Sequence, residues 1–177
     1  YIWRPSEGLR CERNPYEDKL WKHLSVEWAG EPVPGSFFGA DIARHFAFLL
    51  EEWAADDPGQ LKYFGGKSLV TQSHGQSLLS FFRSRYRIRG LYLLDEPEAA
   101  LSPRSQLELL KIIADSTRAG LGQFIISTHS PLLLACPGAV IYRFDRCPIG
   151  PVTYEETEHY QVYRGFLNDR GQWLAKA

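Results

Sequence analysis

Residues 90–103 read Gly90-Leu91-Tyr92-Leu93-Leu94-Asp95-Glu96-Pro97-Glu98-Ala99-Ala100-Leu101-Ser102-Pro103, and this stretch decides the fold. An apolar run over 91–94 stops abruptly at two adjacent carboxylates, Asp95 and Glu96. A run without polar alternation suits a strand buried on both faces, as in a parallel α/β sheet. Ligand sites in such sheets lie beyond the carboxyl ends of the strands. Asp95 and Glu96 are therefore expected at the mouth of a site. Adjacent acids in that place suit Mg-nucleotide chemistry: the first helps hold the metal, directly or through water, and the second orients or deprotonates an attacking water.

Downstream, Pro103 is expected to open a helix whose buried side is Leu107, Leu109, Leu110, Ile113 and Ala114, with Gly120 and Gly122 closing it. Residues 123–128 (Gln-Phe-Ile-Ile-Ser-Thr) form a second apolar strand, which delivers His129-Ser130-Pro131 at its end. A lone histidine is by default a structural one. Its place just after a buried strand, in the same architecture as the two acids, favours a functional role. Residues 140–144 and 151–154 flank a turn around 147–150 and predict a hairpin at the sheet edge. Residues 157–177 read as one or two short helices, with Tyr160, Tyr163, Phe166 and Leu167 docking on the body. His159 and the acids Glu155, Glu156 and Glu158 read as a solvated face.

Upstream, Ser73-His74-Gly75-Gln76-Ser77 precedes an amphipathic run with Leu78, Leu79, Phe81 and Phe82 that ends near Arg89. Ser73 is a good N-cap, and Gln76 three residues later completes a capping box. That bland reading competes with a sharper one, an anion bound at the helix N-terminus where Gly75 lets backbone approach closely. Arg83, Arg85, Arg87 and Arg89 follow as a basic stripe, read as solvated before it is read as a phosphate-backbone contact. Gly65-Gly66-Lys67-Ser68 imitates the end of a phosphate-binding loop, but Leu61 stands where that motif needs glycine and no buried strand precedes it, so a plain loop is the better reading. A helix from Asp41 with Ile42, Phe46, Leu49, Leu50 and Trp53 on one face, a short strand at Phe37-Phe38, and a helix from Pro15 to Ala29, with Asn14 as its cap, complete the expectations. Residues 1–14 read as loop.

The 177 residues carry a formal net charge of -1 with 44% hydrophobic and 23% charged residues, which suits a globular domain with a real core and gives no global pull toward nucleic acid or membrane. No apolar run is long enough to span a bilayer as a helix. Cys11, Cys136 and Cys147 form no paired motif and read as scattered reduced thiols, the pattern of a cytoplasmic protein. The sequence starts at Tyr1 and contains no Met, which reads as a fragment.

Taken together, order and spacing resemble the C-terminal half of an ABC-class ATPase nucleotide-binding domain, firmly over residues 60–145. Residues 72–76 resemble the ABC signature, with His74 where the pattern has its first Gly. Residues 91–95 resemble Walker B, and Glu96 sits where that family has its catalytic glutamate. Residues 98–102 resemble the D-loop, with Ser102 in place of Asp, and His129 matches the switch histidine of the H-loop. The combination is most similar to soluble AAA-type ATPases of bacteria, akin to those of chromosome maintenance and DNA repair. The resemblance implies an α/β, P-loop NTPase-like fold with a mostly parallel sheet. In it residues 1–89 would be a helical subdomain ending in the signature helix, and residues 90–177 the C-terminal part of the core.

The resemblance further implies ATP and Mg²⁺ as cofactors, held between two copies closing head to tail. Ser73, His74, Gly75, Gln76 and Ser102 would contact the nucleotide, Asp95 would support the metal, and Glu96 and His129 would be catalytic. A DNA, nuclease or effector partner in a DNA-related or defence-related assembly is the wider expectation, with no membrane partner. The Walker A loop is missing upstream of Ser73. The resemblance therefore implies that the first strands lie outside this sequence, and the chain by itself is expected to bind ATP weakly or not at all and to be inactive. A Q-loop is sought near residues 38–41. The competing readings are a non-hydrolysing interaction or dimerisation module, against which both Glu96 and His129 argue, and a metal-dependent hydrolase using Asp95, Glu96, His129 and His74, whose spacing matches no recognisable ligand set.

Overall fold

The computed structural model describes residues 19–23, 25–39, 74–145 and 147–175. Asn14, the helix proposed from Asp41, the Gly65–Ser68 imitation, Ser73 and the side chain of His74 lie outside them. The chain divides into two compact units, 1–32 and 33–177. In the first, the described part of the helix expected from Pro15 to Ala29 contains a 3-10 turn, Leu20–His23, and no α-helix. Trp28, which the expected helix would turn to its apolar face, stands exposed. A short amphipathic helix draws its stability from packing, and an exposed Trp28 supplies none.

The second unit is built on a parallel three-stranded sheet in the order β1-β2-β3, with β1 Gly35–Gly39, β2 Gly90–Asp95 and β3 Gly122–Ser127. It is an α/β fold with parallel strands and helices, consistent with the P-loop NTPase class. The register aligns Phe38, Leu94 and Ile126 on one face and brings Gly39, Asp95 and Ser127 level at the carboxyl ends. The short strand expected at Phe37-Phe38 is present as β1, which pairs along its whole length with β2. Gly90 starts β2 where a Cβ would meet the Pro34 carbonyl oxygen at 2.7 Å, so only glycine fits that approach.

Helix α1, His74–Arg85, and helix α2, Pro103–Arg118, both cover the same face of the sheet. Each sits in a connection between strands that step in one direction across the sheet. Right-handed crossovers stepping one way place their helices on one side. Leu78, Leu79 and Phe82 of α1 and Leu109 and Ile113 of α2 therefore share a core with Phe38, Tyr92 and Leu94. An aromatic series runs through that core: Phe82 to Tyr86 at 5.3 Å between ring centroids, Tyr86 to Tyr92 at 4.7 Å, and Tyr92 to Phe124 at 5.2 Å. On the opposite face Phe37, Leu93 and Ile125, aligned by the register, are 57%, 38% and 58% exposed, with no helix among the described residues covering them.

After β3 come a short helix α3, Pro131–Leu134, an antiparallel pair β4 Ile141–Arg143 and β5 Gly150–Val152, helix α4 Glu158–Asn168 and helix α5 Arg170–Leu174. The expected hairpin is present, but it forms its own two-stranded sheet and does not extend the main one. The docking expected of the C-terminal helices is partial. Tyr160 is half-buried with its ring tilted against Tyr154, while Tyr163 and Leu167 are exposed.

Candidate active site

The site is assembled by strand ends. Strand β2 carries Asp95 as its last residue and Glu96 as the first residue beyond it. The Glu96 N–H donates to the Ser127 carbonyl at 2.9 Å, so the ladder between β2 and β3 continues one residue past the strand and fixes where Glu96 leaves the sheet. Glu96 has φ +45°, a left-handed conformation that costs a side-chain-bearing residue energy, and it precedes buried Pro97, whose ring narrows its choices further. Such strain persists only where neighbouring structure over-determines it, and it clusters at functional sites.

His129, two residues beyond the end of β3, reaches Glu96 from the neighbouring strand, with its Nε2 3.5 Å from Glu96 Oε1. Both side chains are solvent-accessible, so the pair can meet a ligand from outside the sheet. The structure thus brings together Asp95, Glu96 and His129 at one sheet edge, as the strand reading expects. Level with Asp95 in the neighbouring strand is Gly39, the end of β1 and the neighbourhood in which a Q-loop was sought.

Sequence reasoning missed Glu98. Its Oε1 accepts from the backbone N–H of His129 at 2.7 Å and of Ser130 at 3.1 Å. One carboxylate oxygen therefore ties the loop after β2 to the loop after β3 and sets the backbone from which His129 projects. Charge-assisted bonds of this kind are stronger than neutral ones. The bracing continues. The Ser130 hydroxyl donates to Gln106 Oε1 at 2.6 Å, and Gln106 Nε2 donates to the Leu101 carbonyl at 3.0 Å. Ser130 Oγ also accepts from the N–H groups of Leu132 and Leu133, capping α3. The Ser130 cap is a local one, but no spacing rule exposes the links of Glu98 and Gln106, which join residues more than twenty positions apart or wrap back from a helix; the only sequence signal is a third acid, Glu98, next to a pair that already looks sufficient.

Helix α1 presents its first turn to the same loop. At Gly75 a Cβ would meet the Ala100 carbonyl at 3.4 Å, Leu101 Cδ2 at 3.6 Å and the Ser105 hydroxyl at 3.8 Å, all ordinary contact distances. The fold places Gly75 beside residues 100–105 but does not require glycine there. Gln76 is exposed. Ser102 has a local duty: it is the N-cap of α2, its hydroxyl accepting from the Ser105 N–H at 3.2 Å, with Pro103 in the first helical position. Arg83 is ion-paired with Glu108 across α1 and α2, which takes one member of the basic stripe into a structural contact.

The donor set has a definite limit. Among the described residues no group of three or more His, Cys, Asp and Glu side chains is arranged to hold a metal ion; the side chain of His74, the fourth residue of the metal-hydrolase reading, lies outside them. One exposed Asp beside an exposed Glu fits Mg²⁺, which keeps waters and takes substrate phosphates as further ligands. The residues present therefore suit a metal brought with a nucleotide.

A parallel sheet with paired acids at one strand end and a histidine from the next is consistent with a P-loop NTPase-like fold. Residues 68–135 match the family described as "AAA domain, putative AbiEii toxin, Type IV TA system", and this stretch is similar to a P-loop ATPase. The match spans α1, β2, α2 and β3 and ends just after α3, so every site residue named so far lies within it or, for Gly39, beside it. Comparison with curated proteins and with solved structures gives no match. No helix among the described residues is long and apolar enough to cross a membrane.

Proposed function

We propose that this chain supplies the hydrolytic half of an ATP site of the ABC type, completed by a phosphate-binding loop and by a second copy. The observation that carries the reading is the meeting of Glu96 and His129, delivered by neighbouring strands to 3.5 Å from each other beside Asp95. In this reading Asp95 supports the magnesium shell. The ion, when bound with ATP, neutralises charge on the phosphates. Glu96 accepts a hydrogen bond from the attacking water and polarises it, and His129 donates from Nε2 to the γ-phosphate edge of the site. Glu98 keeps His129 in register with Glu96. The first turn of α1, with Gly75, offers backbone N–H groups and the positive helix end to a nucleotide held by the other copy. ATP would then act as adhesive between copies, and hydrolysis would release them.

The test is ATP hydrolysis and ATP-dependent association in the full protein. Glu96→Gln keeps size and hydrogen bonding but removes the base, so turnover should fall by about 10² or more while association with MgATP persists. Hydrolysis at the unchanged rate in that variant would remove Glu96 from the role given to it.

A further inference from the structure

His159 was read from sequence as part of a solvated acidic face, and it lies outside the stretch that matches the ATPase family. The structure corrects that reading. Helix α4 begins at Glu158 with Thr157, itself buried, as its N-cap, and the turn before it is closed by a capping box between Thr153 and Glu156. This fixed start brings half-buried His159 against the site: its Nε2 lies 3.4 Å from His129 Nδ1, with ring centroids 5.5 Å apart. The other nitrogen of His129 faces Glu96.

These contacts have a chemical consequence. At 3.5 Å the contact with Glu96 is electrostatic rather than a formed hydrogen bond, and since an ionised carboxylate only accepts, it favours a neutral His129 that carries its hydrogen on Nε2. A neutral His129 then has a bare Nδ1, and the neighbouring His159 Nε2 must donate to it. Only one direction satisfies both contacts with neutral rings: His159 to His129 to Glu96. Metal-ligating and catalytic histidines are commonly fixed in this way by the partner of their second nitrogen.

We infer that His159 is a positioning residue that holds His129 in the Nε2–H tautomer, with that N–H aimed at Glu96. The inference rests on the reading of Glu96 and His129 as the hydrolytic pair, and it assigns to the segment after the hairpin a part in the site. His159 itself touches neither nucleotide nor water.

The test uses ¹⁵N NMR of histidine side chains in the chain as it stands, without nucleotide, at about pH 8.5, well above the ordinary imidazole range. The expected result is a single His129 tautomer, Nε2 protonated and Nδ1 an acceptor, with a through-hydrogen-bond N–N coupling to His159 Nε2. His159→Phe should convert His129 to a mixture of tautomers. His159→Gln, whose amide can still donate, should restore the single form. In the ATP-hydrolysing protein, His159→Phe should lower kcat by about 10-fold, in the range of other lost second partners, with KM for ATP little changed, and His159→Gln should recover most of it. A tautomer mixture in the unaltered chain, or a His129 spectrum unmoved by His159→Phe, overturns the inference. So does a tautomer change with no change in turnover. A locked tautomer together with a Glu96→Gln variant that hydrolyses normally would instead overturn the proposed function and leave the hydrogen-bond chain standing.

Discussion

Glu96 carries two burdens at one Cα: a carboxylate aimed out of the sheet and a backbone at φ +45°. The two can be separated. Glu96→Gly removes the left-handed penalty, which exceeds the extra freedom glycine gives the unfolded chain, so the variant should gain about 1 kcal/mol or less of stability while losing hydrolysis. Urea unfolding midpoints of the two proteins check the first part, and a midpoint that falls would mean that Glu96 packing outweighs its strain. Glu98 shows a different division of labour at the same scale. Its Oε1 receives two N–H groups, whereas its Oε2 is buried with no hydrogen-bond partner among the described residues. The residue is placed to hold a loop, not to touch a substrate. The acids at 95, 96 and 98 look alike in the sequence, and only the paths of the loops after β2 and β3 separate their tasks.

At the scale of elements, α1 is the informative one. Its Gly75 neighbours would accept a methyl group at ordinary distances, and glycine in a helix is less favourable than alanine. Gly75→Ala should therefore raise stability by about 0.5–1 kcal/mol. If a nucleotide from a second copy approaches the helix start, the same change should weaken ATP-dependent association, read by light scattering with and without MgATP. Unchanged association would show that no ligand needs that backbone. The strands and α2 were legible because their signals are local: uninterrupted apolar runs over 91–94 and 124–126, and a helix opened by Ser102-Pro103. Asp95, Glu96 and His129 were legible because strand ends are where polar residues interrupt such runs. Glu98, Gln106 and His159 were not, since their partners are set by how loops fold over one another. The hairpin was legible as a hairpin but not as a separate sheet, because alternation along a strand says nothing about which sheet it joins. In the described part of the helix expected from Pro15 to Ala29 the converse holds: the periodicity is real, but Trp28 stays exposed and only a 3-10 turn forms.

At the scale of the whole second unit, the core is an aromatic stack set between one face of the sheet and two helices, and it contains a flaw that can be tested. The Tyr86 hydroxyl is buried with no hydrogen-bond partner among the described residues, and burial pushes its ionisation well above the ordinary tyrosine range, so it stays a neutral, unsatisfied group. Its ring packs on Phe82, Tyr92 and Phe124. Tyr86→Phe keeps those contacts and deletes the orphan, so stability should hold or rise by about 1 kcal/mol. A loss larger than that, measured by thermal unfolding, would reveal a bond to the hydroxyl that the structure does not contain.

The bare side of the sheet matters in practice. Phe37, Leu93 and Ile125 lie level across three strands, and parallel sheets are stable in water when layered on both sides. Among the described residues of the second unit the sheet is thus covered on one side: helices α1 and α2 on its back, a greasy row on its front. Such a surface binds hydrophobic dyes and sets a ceiling on the concentration at which the chain stays in solution. Adding charge to α1 or α2 would not lift that ceiling, because those helices lie on the wrong side. Replacing Ile125, the most exposed of the three, with a polar β-former such as threonine would act on the row itself.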